Sequence, residues 1–391
     1  MIDLKALHRD EELKRWYVKT RLKGDSENLE KLISLSEDQK QQQRQKDDIL
    51  KMRNSNKDPE KGRLIKADLR IIEAKLKDTK ARVAEMHLQM PNVIDYSTDS
   101  RKDTLIKEWG GAEHRRVKYK MDMSIASKIA GSNFPHLKGN MALLHRAISQ
   151  YCLDYNLSAG YEEQYVPYVA NERSLISTGQ LPLFDKDLFK VDKLYLIPTG
   201  EVPLVNIYRD CNLPIGSTPI KMTSLTPCFR KEAGSYGKVN QGLRRQHQFN
   251  KVEIVEFVHP EHSLEALENM THHVGDILTS LNLPYRVIML GHDEIGFTSS
   301  KTYDIEVWLP ISGEYLEISS CSLCKDFQSR RMNCKMEIYE GKVHPHTLNG
   351  SALAVGRCLL AVLENYLEEG GAVRVPEVLK PYCLGMNLLN V

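Results

Sequence analysis

Eight residues in one stretch, Ile65, Leu69, Ile72, Leu76, Thr79, Val83, Met86 and Met90, recur at steps of four and three. That spacing keeps a single stripe of side chains against a partner helix, so it predicts one arm of a coiled coil. The partner lies upstream. Between Asn28 and Met90 the only glycine is Gly62 and the only proline Pro59, and "NSNKDPEKG", Asn54 to Gly62, supplies the turn between two antiparallel arms. At about 1.5 Å per residue, arms of roughly 25 residues reach on the order of 40 Å. The first arm is the weaker one, because "SEDQKQQQRQKDD", Ser36 to Asp48, has no apolar residue and places Gln39, Gln42 and Lys46 on the seam. Over Asn28 to Met90, fifteen Lys and Arg stand against eleven Asp and Glu. The hairpin is therefore either a mildly basic rod that tracks a polyanion or a solvated charged face.

Beyond a polar connector, Pro91 to Thr104, the pattern changes to that of a mixed globular domain. Helical spacing runs from Met141 to Leu157, and short strands follow. In "TYDIEVWLP" the residues Tyr303, Ile305, Val307 and Leu309 share one side while Asp304, Glu306 and Trp308 take the other, and "KVEIVEFV" and "EYLEIS" alternate in the same way. The predicted class is α+β: an antiparallel sheet flanked by helices, preceded by an antiparallel coiled-coil hairpin. The expected division is residues 1–99, with the hairpin at about 28–90, and residues 100–391. Neither a G-x-x-x-x-G-K loop nor a G-x-G-x-x-G after a strand is present, so a nucleotide would have to be held by other means.

With 54 basic and 52 acidic residues, no bulk field argues for nucleic acid or membrane. The amino terminus has no apolar core of signal-peptide length and no run is long enough to span a bilayer, so the expected location is cytoplasmic, without a membrane partner. Eight cysteines without paired spacing fit free thiols in a reducing compartment. Cys321 and Cys324 form one C-x-x-C, but no second pair stands at zinc-ribbon distance.

Four places carry chemistry. "FRKEAGSYG" aims Arg230 and Glu232 from one strand end, which a hairpin ion pair also explains. Arg357 is the one charge in "ALAVGRCLLAVL", an otherwise apolar helix from Ala352 to Leu363, and must meet an anion. That anion is a structural carboxylate or a phosphate, which suits the planar fork. In "EYLEISSC", Glu317 and Ser320 offer hard oxygens for a divalent ion, although positions three apart on a strand face opposite ways. Both reach one ion only if the chain leaves regular pleating near Ser319, by a bulge or a strand end; otherwise Glu317 is a surface residue. Glu253, in "FNKVEIVEF", binds an ammonium or a small hydroxyl, or forms a cross-strand salt bridge; Phe249 offers its face to a flat base.

"FRKEAG" resembles motif 2, and "GSALAVGR" motif 3, of class II aminoacyl-tRNA synthetases. In order along the chain, "TGQLP", "LYLIPTGEVPL", "RQHQFNKVE", "TYDIEVWLP", "EISSCS", "DFQSRRM", "HTLNGSALAVGR" and "VRVPEVLKPY" together resemble the seryl-tRNA synthetases, bacterial type. The resemblance extends over essentially the whole chain, and the hairpin corresponds to that family's tRNA-binding arm. It implies that Arg230 holds the ATP α-phosphate, that Lys231 and Glu232 flank the nucleotide with Glu232 on the adenine side, and that Phe249 stacks on adenine. It places Arg357 on the γ-phosphate, Glu317, Ile318, Ser319 and Ser320 beside ATP, and magnesium on Glu317 and Ser320. Thr199, Gly200, Glu201, Glu253 and Ser351 match the serine pocket, and Pro167 in "YVPYV" the proline of the dimer interface. The implied activity is formation of seryl-adenylate from L-serine and ATP, then transfer to the 3′-terminal adenosine of tRNA(Ser), with tRNA(Sec) a further candidate, by a homodimer. A relative that loads a carrier protein, or an RNA-binding regulator, is the alternative. Three departures stand out: Gly200 replaces a common alanine and loosens the backbone, Lys231 replaces a common serine, and Val239, Asn240 and Gln241 alter the motif 2 loop that faces the acceptor end.

Overall fold

The computed structural model describes residues 1–117, 124–232 and 242–391; the altered loop positions Val239, Asn240 and Gln241 lie outside them. The chain divides into two compact units, Met1–Val93 and Ile94–Val391.

In the first unit the hairpin arms are the helices Glu27–Ser55 and Pro59–Leu88. The turn is shorter than the sequence reading, because the second helix already begins at Pro59. Asp58 caps it, accepting from the backbone N–H of Glu60 at 2.9 Å, and proline suits a first helical position where no N–H is needed. Leu69, Ile72, Leu76 and Thr79 are buried as the spacing predicts. Opposite them, Gln39, Gln42 and Lys46 are half-buried on the seam. Lys46 meets Glu73 at 2.8 Å and Lys80 reaches Gln43 at 3.4 Å, so ion pairing and an amide take the place of leucines. The arms return to a tied base, where the Tyr17 hydroxyl donates to the Pro91 carbonyl at 3.0 Å and Arg21 Nε to that of Asn92 at 2.7 Å.

The second unit is organised by a sheet of eight strands: β1 (Thr104–Trp109), β2 (Glu162–Glu163), β3 (Ile220–Phe229), β4 (Gln248–Val258), β5 (Tyr285–Met289), β6 (Lys301–Leu309), β7 (Glu314–Lys325) and β8 (His346–Ala354). Their spatial order is β1-β5-β6-β7-β8-β4-β3-β2, and every neighbouring pair is antiparallel except the edge pair β2–β3. Tyr303, Ile305, Val307 and Leu309 are buried on one side of β6.

Alternation in β4 decides where a site can form. Val252, Ile254 and Val258 belong to the main core, together with apolar residues of the helices Asn140–Ser158, Ser263–Ser280 and Val355–Tyr366. Val255 and Phe257 face the other way, into a smaller cluster with Leu204, Val205 and Met332. Phe249, Lys251 and Glu253 share that second face, because side chains two apart point the same way. All eight cysteines are free, and seven are buried, Cys211 being the exception. Burial pushes the Cys321 thiol up to about 12 and raises that of Cys324 further, which makes both inert at neutral pH. No group of three His, Cys, Asp or Glu suited to a metal ion occurs among the described residues. No described helix is long and apolar enough to cross a membrane.

Candidate active site

A cavity of about 450 Å³ opens over the second face of the sheet, lined by residues of β4, β7 and β8, the end of β3, and the first turn of the helix Val355–Tyr366. Arg230, Glu232, Phe249, Glu253, Glu317, Ile318, Ser320, Ser351, Arg357, Thr199 and Glu201 all line it. The widely separated motifs therefore converge on one space.

Strand register explains the convergence. Glu253 lies between Ser224 of β3 and Ser351 of β8, so Ser351 is its direct cross-strand neighbour. In β7, Ile305 pairs with Ser319 and Glu306 with Glu317, which leaves Ile318 as an extra residue. This is the bulge that the Glu317/Ser320 spacing demanded, and it brings both side chains to the cavity. Ser319 is turned away: it is buried and its hydroxyl donates to the Ser351 carbonyl.

The floor of the pocket is a closed polar network. Thr199 Oγ1 donates to Glu253 Oε2 at 2.5 Å, and Lys251 Nζ reaches Thr199 Oγ1 at 2.9 Å and Glu253 Oε2 at 2.5 Å. The salt bridge foreseen for Glu253 is thus real, but its partner is two residues upstream on the same strand rather than across the sheet. Glu201, at the start of the helix Glu201–Asn206, accepts from Gln328 Nε2 at 2.6 Å and from Asn349 Nδ2 at 2.8 Å. Gln328 is itself fixed by the Thr347 hydroxyl at 2.7 Å. Burial, with the Glu253 charge next, pushes the Glu201 carboxyl up to about 7. Gly200 has ordinary helical angles, φ −63° and ψ −18°, so backbone freedom is not its contribution. A β-carbon there would stand 3.1 Å from Glu253 Cβ, so the missing side chain permits close approach of loop and strand.

At the other end, Arg230 leaves the β3 end with its Nε donating to the Pro198 carbonyl at 3.1 Å and its guanidinium 5.3 Å from the centre of the Phe249 ring. Glu232 pairs with Arg245 at 2.5 Å, while Lys231 points elsewhere, its ammonium 5.7 Å from the Phe189 ring. Arg357 lies in a helix, as its apolar surroundings suggested, but that helix starts three residues later than the expected Ala352. Ala352 to Ala354 complete β8, and Arg357 occupies the first turn of the helix that follows, half-buried. A short apolar run reads alike as buried strand or buried helix, which is why the boundary was hidden. Its NH1 donates to the Glu317 carbonyl at 2.8 Å and stands 3.5 Å from Glu317 Oε1. The carboxylate facing the arginine is therefore the one read as a metal ligand, half-exposed and open to exchange of partners.

Sequence reasoning missed Lys251, Asn349, Gln328 and Asp304. Two had a usable signal, since Lys251 and Asn349 stand two positions before Glu253 and Ser351 and so share their face. Gln328 had none. Asp304 is the cross-strand partner of Ser320; burial and then the Glu317 charge push its carboxyl up to about 7, and its Oδ1 is buried with no hydrogen-bond partner.

Residues 184–366 match the model of the tRNA synthetase class II core domain (G, H, P, S and T). The chain is 46% identical over 348 residues to the serine–tRNA ligase of Janthinobacterium sp. (strain Marseille), covering 83% of this chain and 81% of that one. It is also 46% identical over 342 residues to the serine–tRNA ligase of Thermodesulfovibrio yellowstonii, covering 83% and 80%. Among solved structures, the seryl-tRNA synthetase of Pyrococcus horikoshii complexed with ATP superposes with a TM-score of 0.91 at 27% identity, over 100% of this chain and 99% of that one. By these likenesses the chain belongs to the serine–tRNA ligase family of class II aminoacyl-tRNA synthetases.

Proposed function

We propose that this protein activates L-serine with ATP, forming seryl-adenylate and pyrophosphate, and transfers the serine to the 3′-terminal adenosine of tRNA(Ser), with tRNA(Sec) a second candidate acceptor. The observation that carries the reading is the polar floor built from Thr199, Glu201, Lys251 and Glu253 beneath a cavity that also holds Arg230 and Arg357. The two carboxylates take the serine ammonium, with Lys251 balancing Glu253. The network of Thr199, Glu253 and Ser351 takes the hydroxyl. A site built to pair a hydroxyl rejects alanine by roughly 10⁴-fold, because the buried groups are left unpaired.

The serine carboxylate attacks the α-phosphorus in line, and no enzyme nucleophile is needed. Arg230 binds the α-phosphate and Phe249 carries the adenine. Glu232 contacts its edge, and Arg357 exchanges Glu317 for the γ-phosphate of a bent ATP. The chain's contribution is positioning and neutralisation of the charge that grows at phosphorus. Glu317 and Ser320 fit a magnesium ion: the Ile318 bulge gives two hard oxygens one opening, with the Asp304 carboxyl behind them. When bound, the ion supplies Lewis-acid neutralisation of the phosphates.

The hairpin within residues 1–99 is assigned to tRNA shape and backbone, and residues 100–391 to catalysis. A homodimer is supported by the exposed run around Pro167, where Tyr165 is 92% exposed and Tyr168 and Val169 lie open beside it. A silent regulator would not need this complete set of charged side chains. Serine-dependent ATP–pyrophosphate exchange, repeated with alanine and threonine and followed by tRNA charging, tests the reading. Exchange with serine alone supports it, and exchange without charging of any tRNA redirects it to a carrier-loading enzyme.

A further inference from the structure

Two cysteines far apart in the chain stand side by side in a small sheet outside the lining of the catalytic cavity. The strands Asn212–Leu213 and Lys335–Ile338 pair in parallel there, with Lys335 opposite Asn212 and Met336 opposite Leu213. One step back along both strands lie Cys211 and Cys334. Contacts hold them together from either side. Ahead of them the Lys335 backbone N–H donates to the Cys211 carbonyl at 3.0 Å. Behind them Asn333 Nδ2 donates to Asp210 Oδ1 at 3.3 Å, and the Asp210 N–H to the Met332 carbonyl at 2.9 Å. Side chains two apart share a face, so by alternation both thiols lie on the side of Leu213 and Met336, toward the smaller apolar cluster. Neighbouring strands run about 4.8 Å apart, within the about 4.4–6.8 Å that a disulfide needs between α-carbons. We propose that Cys211 and Cys334 form a reversible disulfide when hydrogen peroxide reaches the protein, and that this bond weakens the hold of the site on serine. The effect on serine rests on the serine-activation reading; the bond itself does not.

The two thiols differ in access. Cys334 is fully buried, and burial, with the Cys211 sulfur next, pushes its thiol up to about 12, so it does not meet solvent reagents by itself. Cys211 is partly open, its thiol donating to the Arg209 carbonyl at 3.6 Å. Oxidation therefore begins there. The Cys211 sulfur attacks one peroxide oxygen: an S–O bond forms, the O–O bond breaks, and the departing hydroxide takes the thiol proton and leaves as water. The Cys334 sulfur then attacks the Cys211 sulfur. The S–S bond forms, the S–O bond breaks, and the second hydroxide takes the Cys334 proton. Two thiols have given up two electrons, and one peroxide has become two waters. Neighbours held in place react as an intramolecular pair, which offsets the weak nucleophilicity of a buried thiol. A reducing dithiol reverses the bond by exchange.

The pair is wired to the serine floor by two short helices. Cys211 follows the helix Glu201–Asn206, and Cys334 follows the helix Phe327–Arg331. These same helices carry Glu201 and Gln328, which meet at 2.6 Å. Drawing the sulfurs to about 2.05 Å shifts both segments and loosens that hydrogen bond.

Full-length protein treated with hydrogen peroxide is expected to lose two hydrogen atoms per chain by intact-mass spectrometry, to yield a Cys211–Cys334 peptide in a non-reducing digest, and to recover its mass with dithiothreitol. In pyrophosphate exchange the KM for serine should rise about fivefold on oxidation, the scale of one weakened hydrogen bond to a charged group, with the KM for ATP unchanged. Cys211→Ser, at a partly open position, should show neither change. Cys334→Ala, which leaves Cys211 without its neighbour, should gain an oxygen atom at Cys211 instead of losing hydrogen. A wild-type chain that gains oxygen at Cys211 without losing hydrogen, or that joins other cysteines, overturns the site. A mapped Cys211–Cys334 bond with the KM for serine unmoved overturns its effect on serine. Absence of exchange by the reduced protein instead overturns the serine-activation reading and leaves the bond to be judged by mass alone.

Discussion

Glu201 is where pH enters the chemistry. Its carboxyl is pushed up to about 7 by burial and the neighbouring Glu253 charge, and the role proposed for it, facing the serine ammonium, requires it ionised. The KM for serine is expected to rise about tenfold from pH 8 to pH 6, with the KM for ATP little changed, in a steady-state exchange assay. The sign is opposite for folding. A carboxyl raised above its unfolded value contributes stability below the ordinary carboxylate range, and that contribution is lost as pH climbs through about 7. Glu201→Gln should therefore melt higher than wild type at pH 8 by about 2 °C or more, while losing serine activation. Arg357→Ala should slow exchange by about 10²- to 10³-fold with the KM for serine unchanged, because the contact proposed for it is with phosphate and not with the amino acid. At this scale the sequence was informative where a charge stood alone in an apolar run, as Arg357 does. It was silent on Gln328, whose amide is aimed at Glu201 only by the return of the chain between β7 and β8.

Periodicity carried most of the elements, since heptads and strand alternation are local properties of the chain. The stripe from Ile65 to Thr79 and the two faces of β6 are legible residue by residue. Boundaries were less so: the turn of the hairpin and the start of the last long helix were each misplaced by a few residues, at Pro59 and at Ala352, where capping or pairing overrides composition. The Ile318 bulge was deducible only by requiring Glu317 and Ser320 to meet. The hairpin also contains a weakness of its own making, since Gln42 Oε1 is buried in the seam without a hydrogen-bond partner. Gln42→Leu is expected to stabilise the arm by about 1 kcal/mol, read as an about fivefold slowing of amide exchange along both helices.

For the whole molecule, the proposed homodimer predicts a sedimentation-equilibrium mass twice the 44.8 kDa of the chain. Tyr165→Asp, which puts a charge on the exposed run around Pro167, should shift the population toward 44.8 kDa at micromolar concentration. Order along the chain was what made the fold and the family readable together, because no single motif places Arg230, Glu317 and Arg357 around one cavity. The thiols have a practical consequence. With seven sealed in the interior and Cys211 alone partly open, brief treatment with a maleimide dye should add one label per chain, at Cys211, as counted by intact-mass spectrometry. The native protein thus comes with a single addressable handle, on the segment that runs from the Glu201 helix back into the sheet, and no cysteine needs to be engineered in or out to follow it by fluorescence.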